Sequence, residues 1–424
     1  MVKARLLMIP LHHPPARPRG WGSLALVSVL LLSGCAGDYV SRTRGVRESY
    51  QSGRYNEALS ELDALFKDGS SKDTLLILLD KGMVLHSARK WAESNAVLEQ
   101  AEKLSAQLDA VSVSEEAGAL VTNERQRAYR GEDFEKLMIS VVQALNYAEL
   151  GDDEAAMVEV RQVNERLQKM VVEEKKPYQQ LAIARYLGGV IREDQRDWDA
   201  AYIDYAKAYE LEPRLGELAE PLLRLAKYTG RDQLYEELKA KYPGVEHPPL
   251  ARDEAQIVVV VEAGLSPEKQ PASRDVNGGS LIEVPVYRDR GSAPQVGVTL
   301  GEQHVRAVTV TSMADVARLH LDTRIGGMLA KQIAGVAVKA GLAAGVGAAT
   351  KSEELGALAF LILNAGNAAD LRSWLSLPAE FQVARFRVAA GSHVVRVEGG
   401  GRVSEHTVDV KPGRVGLLVV RRYY

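Results

Sequence analysis

Trp198-Asp199-Ala200-Ala201, followed by Tyr205, Ala208 and then Pro213, is the stretch whose reading decides the fold. A turn precedes the aromatic residue and small residues follow it, as expected where a second helix folds back on a first. Upstream, Gly189 stands where a small residue lets the two helices approach, and Pro213 ends the second helix because its ring cannot continue one. The same order recurs along the amino-terminal half. It is seen in Gly53-Arg54-Tyr55-Asn56-Glu57-Ala58, in Trp91 with Ser94 and Ala101, in Gly151 with Ala156, and in a degenerate last pair of Gly230, Leu234, Leu238 and Pro243. Each helix pair has one apolar face it cannot bury alone, so neighbours must stack into a solenoid.

These residues resemble the tetratricopeptide (TPR) pattern, closely in two repeats and loosely elsewhere. The step from Tyr55 to Trp91 is near the ideal of about 34 residues, and the step from Asp153 to Trp198 exceeds it, so longer helices or inserted turns must absorb the excess. An irregular helical bundle without a usable groove is the alternative. Between the repeats lies Tyr129-Arg130-Gly131-Glu132-Asp133-Phe134-Glu135-Lys136, then Ala144-Leu145-Asn146-Tyr147 and Glu159-Val160-Arg161-Gln162-Val163-Asn164. With Gly264-Leu265-Ser266-Pro267 and Asp370-Leu371-Arg372-Ser373-Trp374-Leu375-Ser376-Leu377-Pro378, it resembles a family of bacterial outer-membrane lipoproteins that join TPR repeats to a distinct carboxy-terminal domain. Arg130, Glu132 and Arg161 are expected to form an ion network between helices or to meet a ligand. Tyr129, Tyr147, Arg372 and Trp374 complete the candidate partner-binding set; Arg372 and Trp374 otherwise pack a helix end onto a sheet.

The amino terminus sets the expected location. Arg17 and Arg19 precede an apolar run from Trp21 to Leu32, which ends in Leu32-Ser33-Gly34-Cys35. That run has the length of a secretory signal and falls short of the roughly 20 residues of a membrane span. It reads as a lipoprotein signal peptide over 1–34, cleaved before Cys35, with a tether over 35–47. Acyl chains add about 0.8 kcal/mol per buried methylene, so a palmitoylated, diacylglycerol-bearing Cys35 would hold the protein at a membrane. Ala36 after the cysteine favours the outer membrane, facing the periplasm.

Composition narrows the function classes. The net charge of -3 comes with scattered Lys and Arg, which offers no basic stripe for nucleic acid. Cys35 is the single cysteine, so once it is lipidated, disulfides, thiolate metal sites and cysteine nucleophiles are excluded together. There is no His-Glu-x-x-His and no Gly-x-Ser-x-Gly. Gly345 to Ser352 fails as a phosphate loop because Thr350 replaces its second glycine. His86, His304, His320, His393 and His406 are dispersed. No cofactor, metal or enzymatic activity is expected.

The class of structure changes near residue 246. His247-Pro248-Pro249 breaks the helical pattern, and Ile257-Val258-Val259-Val260-Val261 opens a strand-like one. Further β runs are expected at 282–287, 305–311, 381–388, 393–398, 403–410 and 414–421, forming a small antiparallel sheet or sandwich. Alternation in Arg385-Phe386-Arg387-Val388 suits a strand with one wet face. A helical block rich in Ala and Gly, from about Asp315 to Trp374, interrupts these strands. Its two segments, 325–349 and 355–364, are either buried on the sheet or form a hairpin that inserts into a membrane or self-associates; Gly341 and Gly345 have the spacing of close helix contact.

The expectation is therefore an α+β multidomain chain: a TPR-like α-solenoid over 48–245, then a smaller β-rich domain over 246–424 with an inserted Ala/Gly-rich helical block. As a non-enzymatic scaffold it would hold an envelope or periplasmic protein at the membrane. The alternatives are a component of a secretion or polysaccharide-export assembly, with homo-oligomer contacts through the Ala/Gly-rich block, and a regulator of cell-wall synthesis.

Overall fold

The computed structural model describes residues 39–68, 71–115, 127–174, 181–276, 280–364 and 369–424; Cys35 and the leader lie outside them. Residues up to Arg42 are a unit of their own, in which the described part is the short helix Tyr39–Arg42. Thr43–Tyr424 is one compact unit.

Among the described residues, five helix pairs open that unit. They are α1 (Arg44–Gln51) with α2 (Tyr55–Lys67), α3 (Thr74–Ser87) with α4 (Trp91–Glu115), and α5 (Asp133–Glu149) with α6 (Asp153–Val172). Then come α7 (Ala182–Asp194) with α8 (Trp198–Leu211) and α9 (Ala219–Tyr228) with α10 (Asp232–Lys241). One turn joins the helices of every pair. Its central residue has positive φ, at Gly53, Arg89, Gly151, Arg196 and Gly230. The following N–H reaches back five residues, as in Arg54 to the Ser49 carbonyl and Asp197 to the Arg192 carbonyl, so the last carbonyls of the first helix are satisfied. Nothing lies within 4 Å of a Cβ built on Gly151 or Gly230, so Gly→Ala there tests backbone conformation alone. Each substitution is expected to destabilise the protein by about 1 kcal/mol in urea unfolding, and Arg196→Gly to shift the midpoint the other way by less.

Gly189 has the role expected of it: a Cβ there would sit 2.4 Å from the Tyr205 ring, so α7 and α8 pack at that point only because the side chain is absent. The first helices of the second, third and fourth pairs are buried nearly all round. In α3, α5 and α7 most residues are buried, whereas α10 buries none. A helix buried on all sides needs a second neighbour beyond its own partner, and the β-rich part supplies it.

Among the described residues ten strands make three sheets. They are β1 Glu254–Ala263, β2 Glu268–Val276, β3 Ser280–Arg288, β4 Gly297–Leu300 and β5 Gln303–Arg306, then β6 Val308–Ser312, β7 Glu380–Ala389, β8 Gly391–Gly399, β9 Arg402–Val410 and β10 Val415–Arg422. Sheet order is β10-β1-β7-β6 in the first and β5-β4-β8-β9 in the second, with β2 and β3 as a separate antiparallel pair. The pairing is antiparallel except that β1 and β10 run parallel. Ile257, Val259 and Val261 pack with Val395, Val397, Val408 and Val410 in the core between the two four-stranded sheets. Gln256 and Glu262, on the opposite face of β1, bond to Glu193 and His86 of the first helices. The unbroken run Ile257–Val261 thus reflects a strand covered on both faces.

Several expectations are corrected here. The charged face of Arg385-Phe386-Arg387-Val388 is not wet at Arg385, which lies against the helices and bonds to Glu193. The helical block consists of α11 (Met313–Thr350) and α12 (Glu353–Asn364), and residues 369–374 have no regular structure, so Trp374 is not on a helix end. Met313, Ala317 and His320 of α11 are buried, whereas Ile333, Val338, Leu342 and Val346 farther along are exposed, so the block is not buried on the sheet along its length. α11 is long and apolar enough to cross a membrane. The close approach of α11 to α12 is at Gly347 and Gly356, and Gly341 and Gly345 face open space.

The open side of β10 is closed by side chains. Asp194, at the end of α7, accepts from the Val415 N–H at 2.6 Å and from Arg414. Glu149, at the end of α5, accepts from the Val419 N–H, and Arg89 donates to the Val419 carbonyl at 3.4 Å.

Candidate functional site

The start of α5 carries the residues singled out in the sequence. Glu132 is its N-cap and Glu135 its third residue, and together they form a capping box. The box fixes both carboxylates beside the turn at Tyr129-Arg130-Gly131. Glu135 accepts from the Tyr129 hydroxyl at 2.5 Å, the Glu132 N–H at 2.9 Å and the Trp374 N–H at 2.6 Å. Burial and then the charge of Glu132 nonetheless push its carboxyl up to about 7. Burial would raise Glu132 as well, but Lys269 and Arg324, both paired with it, bring it below the ordinary value.

Arg372 lies across the same turn. Its guanidinium reaches Asp370 at 2.7 Å, Asp73 at 3.0 Å and the carbonyls of Lys72 and Arg127, and stacks 5.3 Å from the centre of the Tyr129 ring. Tyr129, Arg372 and Trp374 retain 5%, 3% and 1% of their surface. Beyond Trp374 the chain stays engaged. The indole Nε1 donates to Ser376 Oγ at 2.9 Å, Ser376 Oγ donates to Asp80 at 2.6 Å, and the Tyr50 hydroxyl donates to the Ser376 carbonyl at 3.1 Å. Residues 370–377 therefore lie on the first-helix row as a bound segment. Its polar groups are matched there by Asp73, Asp80, Glu135 and Tyr50.

Of the candidate residues, the structure brings together Tyr129, Arg130, Arg372 and Trp374, and leaves Tyr147 and Arg161 elsewhere. Tyr147 is half-buried near the end of α5, where burial and then Glu159 raise its hydroxyl pKa, and Arg161 is exposed on α6. The network foreseen for Arg130, Glu132 and Arg161 is not formed. Glu132 pairs instead with Lys269 and Arg324, from the part of the chain that sequence spacing could not bring near. What remains open is a cleft of about 310 Å³ lined by Arg127, Arg130, Asp133, Lys136, Arg324 and the edges of Glu132 and Arg372. It is charged and suits recognition of a polar segment.

Comparisons with known proteins add little beyond this geometry. No family model and no curated protein matches the chain. Among solved structures, "MamA AMB-1" aligns at 15% identity with a TM-score of 0.31, over 49% of this chain and 93% of its own. A tetratricopeptide repeat protein from Parabacteroides merdae ATCC 43184 aligns at 16% identity with a TM-score of 0.32, over 49% and 67%. "MamA MSR-1 C2" gives 15% and 0.29, over 48% and 97%. The helix-pair assignment rests on the turns and glycine approaches of the chain itself.

A second buried cluster missed in the sequence joins helices to sheet. Glu193 bonds to Arg224 at 2.5 Å, Arg385 at 2.9 Å, Tyr205 at 2.7 Å and Gln256 at 2.8 Å. Burial opposes its charge, yet the two guanidiniums hold its carboxyl down at about 2. Nearby Glu217 goes the other way: burial raises it to about 7, against the pull of Arg385 and Tyr186. A carboxyl raised on folding contributes stability that is complete below its unfolded pKa, about 4.3, and is lost as pH climbs through about 7. A depressed one such as Glu193 contributes above the unfolded value and loses its contribution as pH falls toward about 2. The thermal midpoint is expected to fall between about pH 4 and 7, and Glu217→Gln to flatten that fall in calorimetry.

Proposed function

We propose that the protein is an envelope lipoprotein, anchored to the outer membrane through Cys35 and facing the periplasm, that serves as a non-enzymatic scaffold for a protein partner. It would belong with the TPR-bearing outer-membrane lipoproteins that its sequence resembles. The observation that carries the scaffold reading is the division of the solenoid into two rows. The first-helix row is covered by the chain's own sheet and by residues 370–377. The second-helix row stays open and presents Val158 and Ile203, both exposed. A partner is therefore met by the second row and by the charged cleft at Arg130, not by the buried Tyr129, Arg372 and Trp374.

Affinity capture from envelope extracts tests this, comparing the full chain with Val158→Glu/Ile203→Glu and with Arg130→Glu. Loss of the same partner in either variant supports the reading, and an unchanged set of captured proteins in both counts against it. Labelling cells with radioactive palmitate, with Cys35→Ala as control, tests the anchor.

The exposed apolar residues of α11 favour a second reading, an assembly component that oligomerises through α11 and α12. Deleting residues 325–364 would then remove oligomers in sedimentation while leaving the helical signal of the solenoid.

A further inference from the structure

At the carboxy-terminal end of α3, a small cavity of about 140 Å³ lies where the turn between α3 and α4 meets β9 and β10. Its lining is unusually cationic. Arg422 is 8% exposed, has no carboxylate partner among the described residues, and donates only to the Arg421 and Val397 carbonyls and to Ser404. Its Nε is buried and unpartnered. Arg89 enters from the helix turn, stacked 5.3 Å from Trp91 and paired with Glu149 at 3.1 Å. Arg402 is exposed outside the lining, within 4.0 Å of a Cβ built on Gly53, and its charge adds to burial in lowering the pKa of Arg422, against Tyr55.

A buried guanidinium is ordinarily matched by an anion, because an unpaired charge away from water costs several kcal/mol. The carboxylate in the lining does not bond to Arg422: Glu262 is held through one oxygen by His86 at 3.0 Å, its other oxygen is buried without a partner, and His86 is held on its other side by Asn146 at 2.6 Å. Glu149 is committed to Arg89 and to the Val419 N–H. His406, bonded to Ser404 at 2.6 Å, is held neutral by burial and by Arg89 and Arg422, which push it down to about 4. Arg89, Arg421 and Arg422, with the hydroxyls of Ser404 and Tyr55, thus line the space, and of these guanidiniums Arg422 is the one without a matching carboxylate among the described residues.

We propose that this cavity binds a single phosphate group. The guanidiniums of Arg422 and Arg89 supply charge-assisted donors, Ser404 and Tyr55 supply neutral ones, and the nearby charge of Arg402 adds to the attraction. The space is below the roughly 300 Å³ of a drug-sized pocket, so a phosphate enters and a whole nucleotide does not. Free phosphate and a phospholipid headgroup share this chemistry.

The test uses the full chain. Inorganic phosphate is titrated calorimetrically against sodium chloride of equal ionic strength, with Arg89→Gln, Arg402→Gln and Arg422→Gln alongside. Phosphate-specific binding is expected, weakened at least tenfold in Arg89→Gln and Arg422→Gln. Arg402→Gln, outside the lining, weakens it less and keeps the test valid should Arg422→Gln fail to fold. Equal responses to phosphate and chloride, or unchanged affinity in both Arg89→Gln and Arg402→Gln, would overturn the proposal. Flotation with phosphatidylglycerol or phosphatidylcholine vesicles identifies the source. Binding that phosphate competes away assigns a headgroup, and phosphate binding without flotation assigns the free ion.

Discussion

Arg385→Met is expected to cost about 3–5 kcal/mol, because it removes one partner from a buried ionic cluster and leaves the others facing each other without it. Arg385 bridges Glu193, Gln256 and the Tyr205 hydroxyl, and its guanidinium lies 5.1 Å from the Tyr205 ring centre. The same substitution removes the charge that helps keep Glu193 ionised, so acid unfolding should move to higher pH. Urea unfolding of Arg385→Met, Glu193→Gln and the double variant measures the coupling. Additive losses would show that the cluster does not act as a unit.

Trp374→Ala is expected to cost about 3–5 kcal/mol, the usual range for deleting a fully buried indole. The loss should be local in its structural effect. Trp374 fixes residues 370–377 on α3 and α5, and without it the bonds from the Trp374 N–H to Glu135 and from Ser376 to Asp80 lose their register. Hydrogen exchange should therefore quicken around 370–377 and at the start of α5 before it quickens in β1. Uniform quickening would mean that the segment is not a separable element.

The helix pairs were legible in the sequence because each is a local event. Gly53, Gly151 and Gly230 stand in turns that need positive φ, and Gly189 stands where Tyr205 leaves no room for a side chain. The equivalent turns at Arg89 and Arg196 show that the pattern outlasts the glycine. The strand runs were legible for the same reason, as continuous or alternating apolar stretches. What could not be read was which surfaces meet. Arg372 and Asp73 are nearly 300 positions apart and form one bond, and nothing in the alternation around Arg385 tells a strand facing water from one facing a row of helices. Tyr129, Arg130, Arg372 and Trp374 were noticed as residue types and do come together, yet burial turns three of them from a surface for partners into internal fastenings.

Asp194, Glu149 and Arg89 occupy the positions on β10 that another strand would otherwise use. A neighbouring molecule cannot extend this sheet from that side without first displacing two carboxylates and a guanidinium, which protects the chain against edge-to-edge aggregation there. Any ordered polymer nucleated on this rim would have to begin with loss of those caps. Asp194→Ala and Glu149→Ala accordingly expose this edge to pairing with another strand.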